Sequence, residues 1–440
     1  MRKIKLVIFS SILHDNVSVM GSREPLFEAL RGFAEVELVY PAMLSSDRNR
    51  FRSMFDYDGS SSGKDILVND ENTRTVCFIA TGGTEELFRQ YMDLIPRPVI
   101  LLSDGFHNSL AAAFEISTFL ESNGIGCCLL NAPLDYNPLY FKTLEQKIFG
   151  EIPPISAEDL SSRNCSPYFG KADRKVLSGK RIGLLGQASS WLIASEIDVP
   201  LVEAEYGVKF VNVPLSDVEN AFASVDEQDR TVKKTVLKMS GYLSDGRTEA
   251  DLVKAARLYA AIRSICSDNK LDAVTVKCFG LLESCSTTAC LALALLNDEG
   301  TVAGCEGDIP ALWTMLYARE VLGKQSFMAN PSSSNRSELT IDFGHCTIPL
   351  GMVHGYRLPS HFESSTGIGI SGSLPSGRYR IIKFSGKALD RFYSVEGSVI
   401  MNTNVPQRCR TQVRFKFDCE EDFNGFFTTA KGNHIILLPL

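Results

Sequence analysis

The sequence predicts an α/β protein: two parallel-sheet domains followed by a β-rich antiparallel C-terminal domain. Three observations carry that expectation. Short apolar runs alternate with helical patterns twice over, in residues 1–150 and again in 179–324, and alternating βαβ segments imply parallel sheets covered on both faces. A stretch rich in Pro, Ser and charge, 151–178, separates the two blocks and reads as a linker with a short helix. After residue 324 the helical period fades, and strand-like runs punctuated by Gly, Pro and Ser fill 325–440.

In the first block, strands are expected at 5–9, 36–39, 76–80, 99–102 and 127–130, with helices near 24–32, 85–94 and 109–123. In the second, strands at 181–185, 209–213 and 273–276 alternate with helices near 191–197, 218–222, 251–267 and 286–296. The stretch 227–246 reads as a helical, lid-like excursion. The helix over 309–322 is the best marked, because Pro310 suits its first turn and Gly323 the residue after its end. Strands at 339–343, 379–384, 391–397, 411–417 and 434–438 are expected in the last domain, with no long helix among them. No repeat of solenoid period is present.

At 440 residues the chain is too long for one ordinary core. Its 44% hydrophobic and 22% charged content is that of a globular protein. A net charge of −7 without any Lys/Arg run excludes a nucleic-acid or anionic-membrane surface as the natural reading. The apolar run after Lys5 is too short for a signal peptide, and 289–296 falls far below the ~20 residues of a membrane span. A soluble, cytoplasmic protein is expected. The twelve cysteines are scattered through apolar stretches without a CxxC, so reduced buried thiols are expected rather than disulfides or structural zinc.

Two glycine-bearing loops follow expected strands: Thr81-Gly82-Gly83-Thr84-Glu85 and Gly186-Gln187-Ala188-Ser189-Ser190-Trp191. Free backbone N–H groups at such strand-to-helix turns bind anions or hydroxyls. Neither loop fits GxGxxG or GxxxxGKS, and a tight turn alone also requires these residue types. Gly83, Ser190 and Trp191 are therefore candidate substrate contacts, as is Lys277 at the end of the strand 273–276. Glu306 and Asp308 open the helix 309–322, where the helix dipole favours acids in any protein. The histidines add to that bland reading: His345, His354, His361 and His434 all fall in the last hundred residues. Carboxylate and imidazole together suit Mn²⁺ or Mg²⁺ in Lewis-acid chemistry. No basic cluster is visible near these residues, which argues against a phosphorylated substrate.

These motifs, in this order and spacing, resemble the L-fucose isomerase-like proteins, which are related more distantly to L-arabinose isomerases. The resemblance runs over most of the chain. It is carried by the two glycine loops, Cys305-Glu306-Gly307-Asp308, His345-Cys346-Thr347-Ile348-Pro349, His361-Phe362-Glu363-Ser364 and Gly432-Asn433-His434. It implies two Rossmann-like domains with a β-rich C-terminal domain, and homo-oligomers that are trimers or hexamers. It further implies aldose–ketose interconversion through a cis-enediol on a Mn²⁺ ion held by a Glu, an Asp and a His. Glu306 matches the family glutamate and His434 the family histidine. The family aspartate is replaced: Phe327-Met328-Ala329-Asn330-Pro331 places Asn330 there. An amide oxygen ligates a hard cation but takes up no proton. Asp308, Asp342, Glu363 and a metal-bound hydroxide are the alternatives for the missing base.

The expected function is thus a metal-dependent isomerase acting on a sugar or sugar derivative. Its metal ligands are Glu306, Asn330 and His434; its catalytic residues are Glu306, Asp308, His345 and His361. Other enediolate chemistry on the same scaffold, epimerisation or retro-aldol cleavage, is the enzymatic alternative. A non-catalytic carbohydrate-binding relative is the alternative outside catalysis.

Overall fold

A computed structural model of the chain describes residues 2–11, 14–41, 67–132, 138–150, 175–429 and 432–440. The expected linker at 151–178 lies almost wholly outside these residues. The chain forms two compact units, one built from 1–164 with 331–335 and 431–433, the other from 165–330 with 336–430 and 434–440.

The first unit holds strands β1 (Lys3–Phe9), β2 (Glu35–Val39), β3 (Thr73–Ile79), β4 (Val99–Ser103) and β5 (Cys127–Asn131). All pair in parallel in the order β2-β1-β3-β4-β5. Apolar residues buried on both faces, Leu6, Val76 and Phe78 on one and Val7, Cys77 and Leu101 on the other, explain the near-continuous hydrophobic runs. The helix Glu24–Arg31 lays Leu26, Phe27 and Leu30 against this core. A helix at Pro138–Phe149 completes the unit and carries no clear mark in the sequence.

In the second unit, β6 (Arg181–Leu185), β7 (Lys209–Val213), β8 (Ala273–Val276) and β9 (Val302–Gly304) form a parallel sheet in the order β7-β6-β8-β9. Chain order reverses between β6 and β8, and the crevice beyond the carboxyl ends of strands at such a switch is where α/β sheets bind ligands. β9 is only three residues long and escapes notice in the sequence. The helix expected over 191–197 is absent. The chain there turns irregularly, and the helix begins at Val199 because Asp198 accepts a hydrogen bond from the Leu201 N–H and Pro200 fills the first turn. The stretch expected to be lid-like forms the helix Arg230–Met239, which buries Val232, Thr235 and Met239 and packs on the long helix Glu249–Asp268.

The remaining strands are β10 (Phe327–Asn335), β11 (Thr340–His345), β12 (Gly355–Arg357), β13 (Ser371–Ser373), β14 (Gly377–Ser385), β15 (Arg391–Asn402), β16 (Thr411–Phe417) and β17 (Ile435–Pro439). Six of them close into a barrel in the order β10-β11-β16-β15-β14-β17. Closure removes the exposed sheet edges. One expectation fails in this region: Glu420–Thr429 is a helix, with Glu420, Glu421 and Asp422 in its first turn. The helix Ile309–Glu320 is clamped to the barrel, Thr314 Oγ1 accepting from the Phe384 N–H and Tyr317 packing its ring 4.9 Å from Phe384. Barrel and parallel sheet are thereby fixed against each other within this unit.

Candidate active site

Three loops leave the carboxyl ends of neighbouring parallel strands: 186–191 after β6, 277–279 after β8, and 305–308 after β9. Glycine lets them touch. Gly307 has φ +72°, and a Cβ there would fall 2.7 Å from Ala188 Cα and 2.8 Å from the Gln187 carbonyl oxygen. The Ser189 N–H then donates to the Glu306 carbonyl at 3.1 Å. Glu306 itself sits at φ +62°, a left-handed conformation that costs a non-glycine residue about 1–3 kcal/mol.

The strained backbone turns the Glu306 carboxylate into a buried cluster. Trp191 Nε1–H donates to Oε2 at 2.8 Å. His434 Nε2 stands 3.5 Å and His345 Nε2 3.9 Å from Oε1. Asp308 caps the helix Ile309–Glu320, its Oδ1 accepting from the Ala311 N–H at 2.8 Å, while Oδ2 holds His434 Nδ1 at 2.8 Å. His345 Nδ1 is paired with the Thr347 hydroxyl at 2.9 Å. The Lys383 ammonium donates to the His434 carbonyl, fixing the backbone just ahead of β17.

The charge states follow from this geometry. Burial disfavours the Glu306 anion, but the His434 charge, His345 and the Trp191 N–H outweigh it and hold the carboxyl down at about 2. Burial likewise works against the His434 imidazolium, yet Glu306 and Asp308 prevail and raise it to about 9. His345, pushed to about 4 by burial and by His434, is neutral at ordinary pH.

Strand register brings Asn330 near His434. β10 and β17 pair Met328 with Ile436 and Ala329 with Ile435, and Asn330 and His434 are the next residues along the two chains. Asn330 is buried, and its Oδ1 has no hydrogen-bond partner among the described residues. His434 Nε2 is likewise without a hydrogen bond.

These residues fit a divalent cation. One ligand atom from each of Glu306, His345 and His434 lies within 4.8 Å of the other two. The two orphaned buried atoms, an amide oxygen and an imidazole nitrogen, are donors that a cation satisfies.

The other expected site residues are dispersed more widely. His361 is buried, hydrogen-bonded through Nδ1 to Ser364 at 2.9 Å, with burial pushing its pKa down. Its ring packs on Phe279, which packs in turn on Trp191. Lys277 is half-buried at the end of β8, where its Cβ crowds Gly186. Ser190 is exposed; the buried hydroxyl of that loop is Ser189, whose Oγ lacks a hydrogen-bond partner among the described residues. Gly83 belongs to the first unit, in a packed turn where Thr81 Oγ1 accepts from the Ser11 N–H. Asp342 is spent on Arg408 and Arg414, at 2.8 and 2.7 Å. Ser189 and Phe279 escaped the sequence reading because a Ser in a turn and a Phe after a strand are ordinary core features.

The buried carboxylate–imidazole cluster beside the carboxyl ends of the parallel sheet could hold a metal ion. No family model matches the chain. Over 154 residues it is 25% identical to a sulfoquinovose isomerase from Clostridium sp. (strain MSTE9), a match covering 31% of this chain and 34% of that protein. The chain thus aligns with about a third of that relative's length. Among the described residues, no helix is long and apolar enough to cross a membrane.

Proposed function

We propose that this chain is a sugar isomerase that interconverts an aldose and a ketose, with Glu306 as the group that moves the proton between adjacent carbons. The observation that carries the reading is the buried Glu306–His434–His345 cluster, braced by Trp191 and Asp308. The partial likeness to a sulfoquinovose isomerase supports the same reaction class. Glu306, His434, His345 and Asn330 would hold a divalent cation, Mn²⁺ or Mg²⁺, which would supply Lewis-acid polarisation of the substrate.

The chain's own groups divide the remaining work. Glu306, ionised at any ordinary pH, takes the proton from C2 of the open-chain aldose and returns it to C1, so the enediolate is consumed without net change in protonation. The Trp191 N–H fixes Oε2 and leaves Oε1 toward the imidazoles. Both Asp308 oxygens are engaged, which makes Asp308 a positioning residue for His434 rather than a second base. Asn330 accepts no proton, so a single carboxylate performs the transfer on one face of the substrate. Neutral His345 and His361 orient hydroxyls or relay the hydroxyl proton, and Trp191, Phe279 and Lys277 form the pocket wall. The proposal includes domain boundaries at 1–150, 179–324 and 325–440, a cytoplasmic location and a homo-oligomeric assembly.

The test is deuterium incorporation. Metal-loaded protein incubated with neutral and anionic aldoses in D₂O introduces deuterium at the carbon adjacent to the carbonyl, and Glu306→Gln loses the exchange. Exchange that persists in Glu306→Gln removes this residue from the reaction.

A further inference from the structure

A cavity of about 110 Å³ lies in the unit that holds the Glu306 cluster, lined in part by Ser244, Arg357, Arg408, Arg410 and Gln412. Strand alternation separates it from the metal cluster. β11 and β16 pair Asp342 with Arg414, Gly344 with Gln412 and His345 with Thr411. Side chains alternate faces along a strand, so Asp342, Arg414 and Gln412 point away from the face that bears His345.

Of the three arginines that line this cavity, Arg357 and Arg410 have no ion pair among the described residues. Arg408 pairs with Asp342 at 2.8 Å, a carboxylate that also holds Arg414, on which Glu338 acts as well. Arg410 spends Nε and Nη2 on the carbonyl and hydroxyl of Ser360, at 2.7 and 2.9 Å, and has no acidic partner among the described residues. Arg357 is exposed on β12, and it also has no ion pair among them. Asp245 is the one acid in the lining, and it is exposed. Ser244 Oγ, a buried hydroxyl in the wall, has no hydrogen-bond partner among the described residues. All this occurs in a chain of net charge −7, so a general positive field does not account for it.

We propose that this cavity is an oxyanion-binding site, in which Arg357, Arg408, Arg410 and the Ser244 hydroxyl receive a tetrahedral group such as sulfate, phosphate or an organic sulfonate. Guanidiniums match such groups with parallel N–H donors, and an orphaned hydroxyl supplies one more. The oxyanion is either a free ion or the charged end of a sugar. Arg410 also grips Ser360, the neighbour of His361, so occupancy bears directly on the loop that carries His361. The proposal does not depend on the isomerase reading.

Calorimetric titration of the full chain with sulfate and with phosphate, at constant ionic strength against chloride, tests it. Saturable binding is expected, weakened at least about tenfold by Arg357→Gln and by Arg410→Gln. Arg336→Gln, whose parent pairs with Glu420 on the surface, leaves it unchanged. Arg357 is exposed, so its variant separates ligand binding from folding, and thermal unfolding checks both variants. A second titration compares a sugar bearing a sulfonate or phosphate at its far end with the neutral sugar. Tenfold loss confined to the charged sugar identifies the oxyanion as substrate-borne; loss confined to the free ion identifies a separate effector. The proposal is overturned if neither free oxyanions nor the charged sugar lose affinity in either variant.

Discussion

Replacing Glu306 by Gln removes a charge 3.5 Å from His434 Nε2 while keeping the shape of the side chain. Two unit charges at that separation interact by about 5 kcal/mol at an effective dielectric of ~20, worth some three pKa units. His434 stands at about 9 against an ordinary value of 6.5, although burial works against its charge. In Glu306→Gln its pKa therefore falls by about two units or more, with Asp308 alone left to support the cation. The assay is a pH titration of the histidine ring resonances by NMR in metal-free protein. The linkage has a definite sign. A raised histidine stabilises the fold fully below pH 6.5, and that contribution, about 3 kcal/mol, is lost as pH rises through 9. Glu306, depressed from 4.5 to about 2, contributes above pH 4.5 and loses its contribution as pH falls toward 2. Both shifts describe one ion pair, so they are not summed. Metal-free wild-type protein thus loses stability to urea between pH 6.5 and 9, and Glu306→Gln loses much less over that window. An unmoved His434 titration in the variant would refute the pairing.

Other expectations follow from single contacts. Asn330→Asp adds an anion near His434 and tightens Mn²⁺ binding at least about tenfold by calorimetry, with a rise in isomerase turnover if a second carboxylate is limiting. Gly307→Ala drives a Cβ into Ala188 and Gln187 backbone atoms and demands a left-handed alanine; urea unfolding should show a loss of about 2 kcal/mol or more. Asp308→Ala removes a helix cap worth about 1 kcal/mol together with the His434 hydrogen bond, lowering both stability and metal affinity. Trp191→Phe keeps the ring beside Phe279 but loses the donor to Glu306; kcat falls about tenfold or more with little change in KM.

Much of the α/β scaffold was legible because parallel strands buried on both faces read as unbroken apolar runs, as in 5–9 and 99–102. The helix at Ile309–Glu320 announced itself through Asp308 and Pro310. Glu306 and His434 were singled out from their motifs, and the fold sets them together. His345 was singled out as a catalytic residue, but its place as a possible metal ligand was not legible. It lies 3.9 Å from Glu306 only because barrel closure brings the end of β11 beside the parallel sheet, and no local period records such a contact. Helix Glu420–Thr429 was hidden by a phenylalanine-rich composition that suits strands equally well. The arginine cavity escaped for a related reason: residues 357, 408 and 410 make no run, and folding alone gathers them. Asp342 looked available as a base until the structure engaged it with two arginines.

The most direct measurement is anomalous diffraction at the manganese edge from crystals grown with Mn²⁺. The account predicts one strong peak bonded to the Glu306 carboxylate and His434 Nε2, with the Asn330 amide oxygen or His345 completing the protein ligands. Saturating manganese with no peak among these side chains, or a peak bonded elsewhere in the chain, would contradict it.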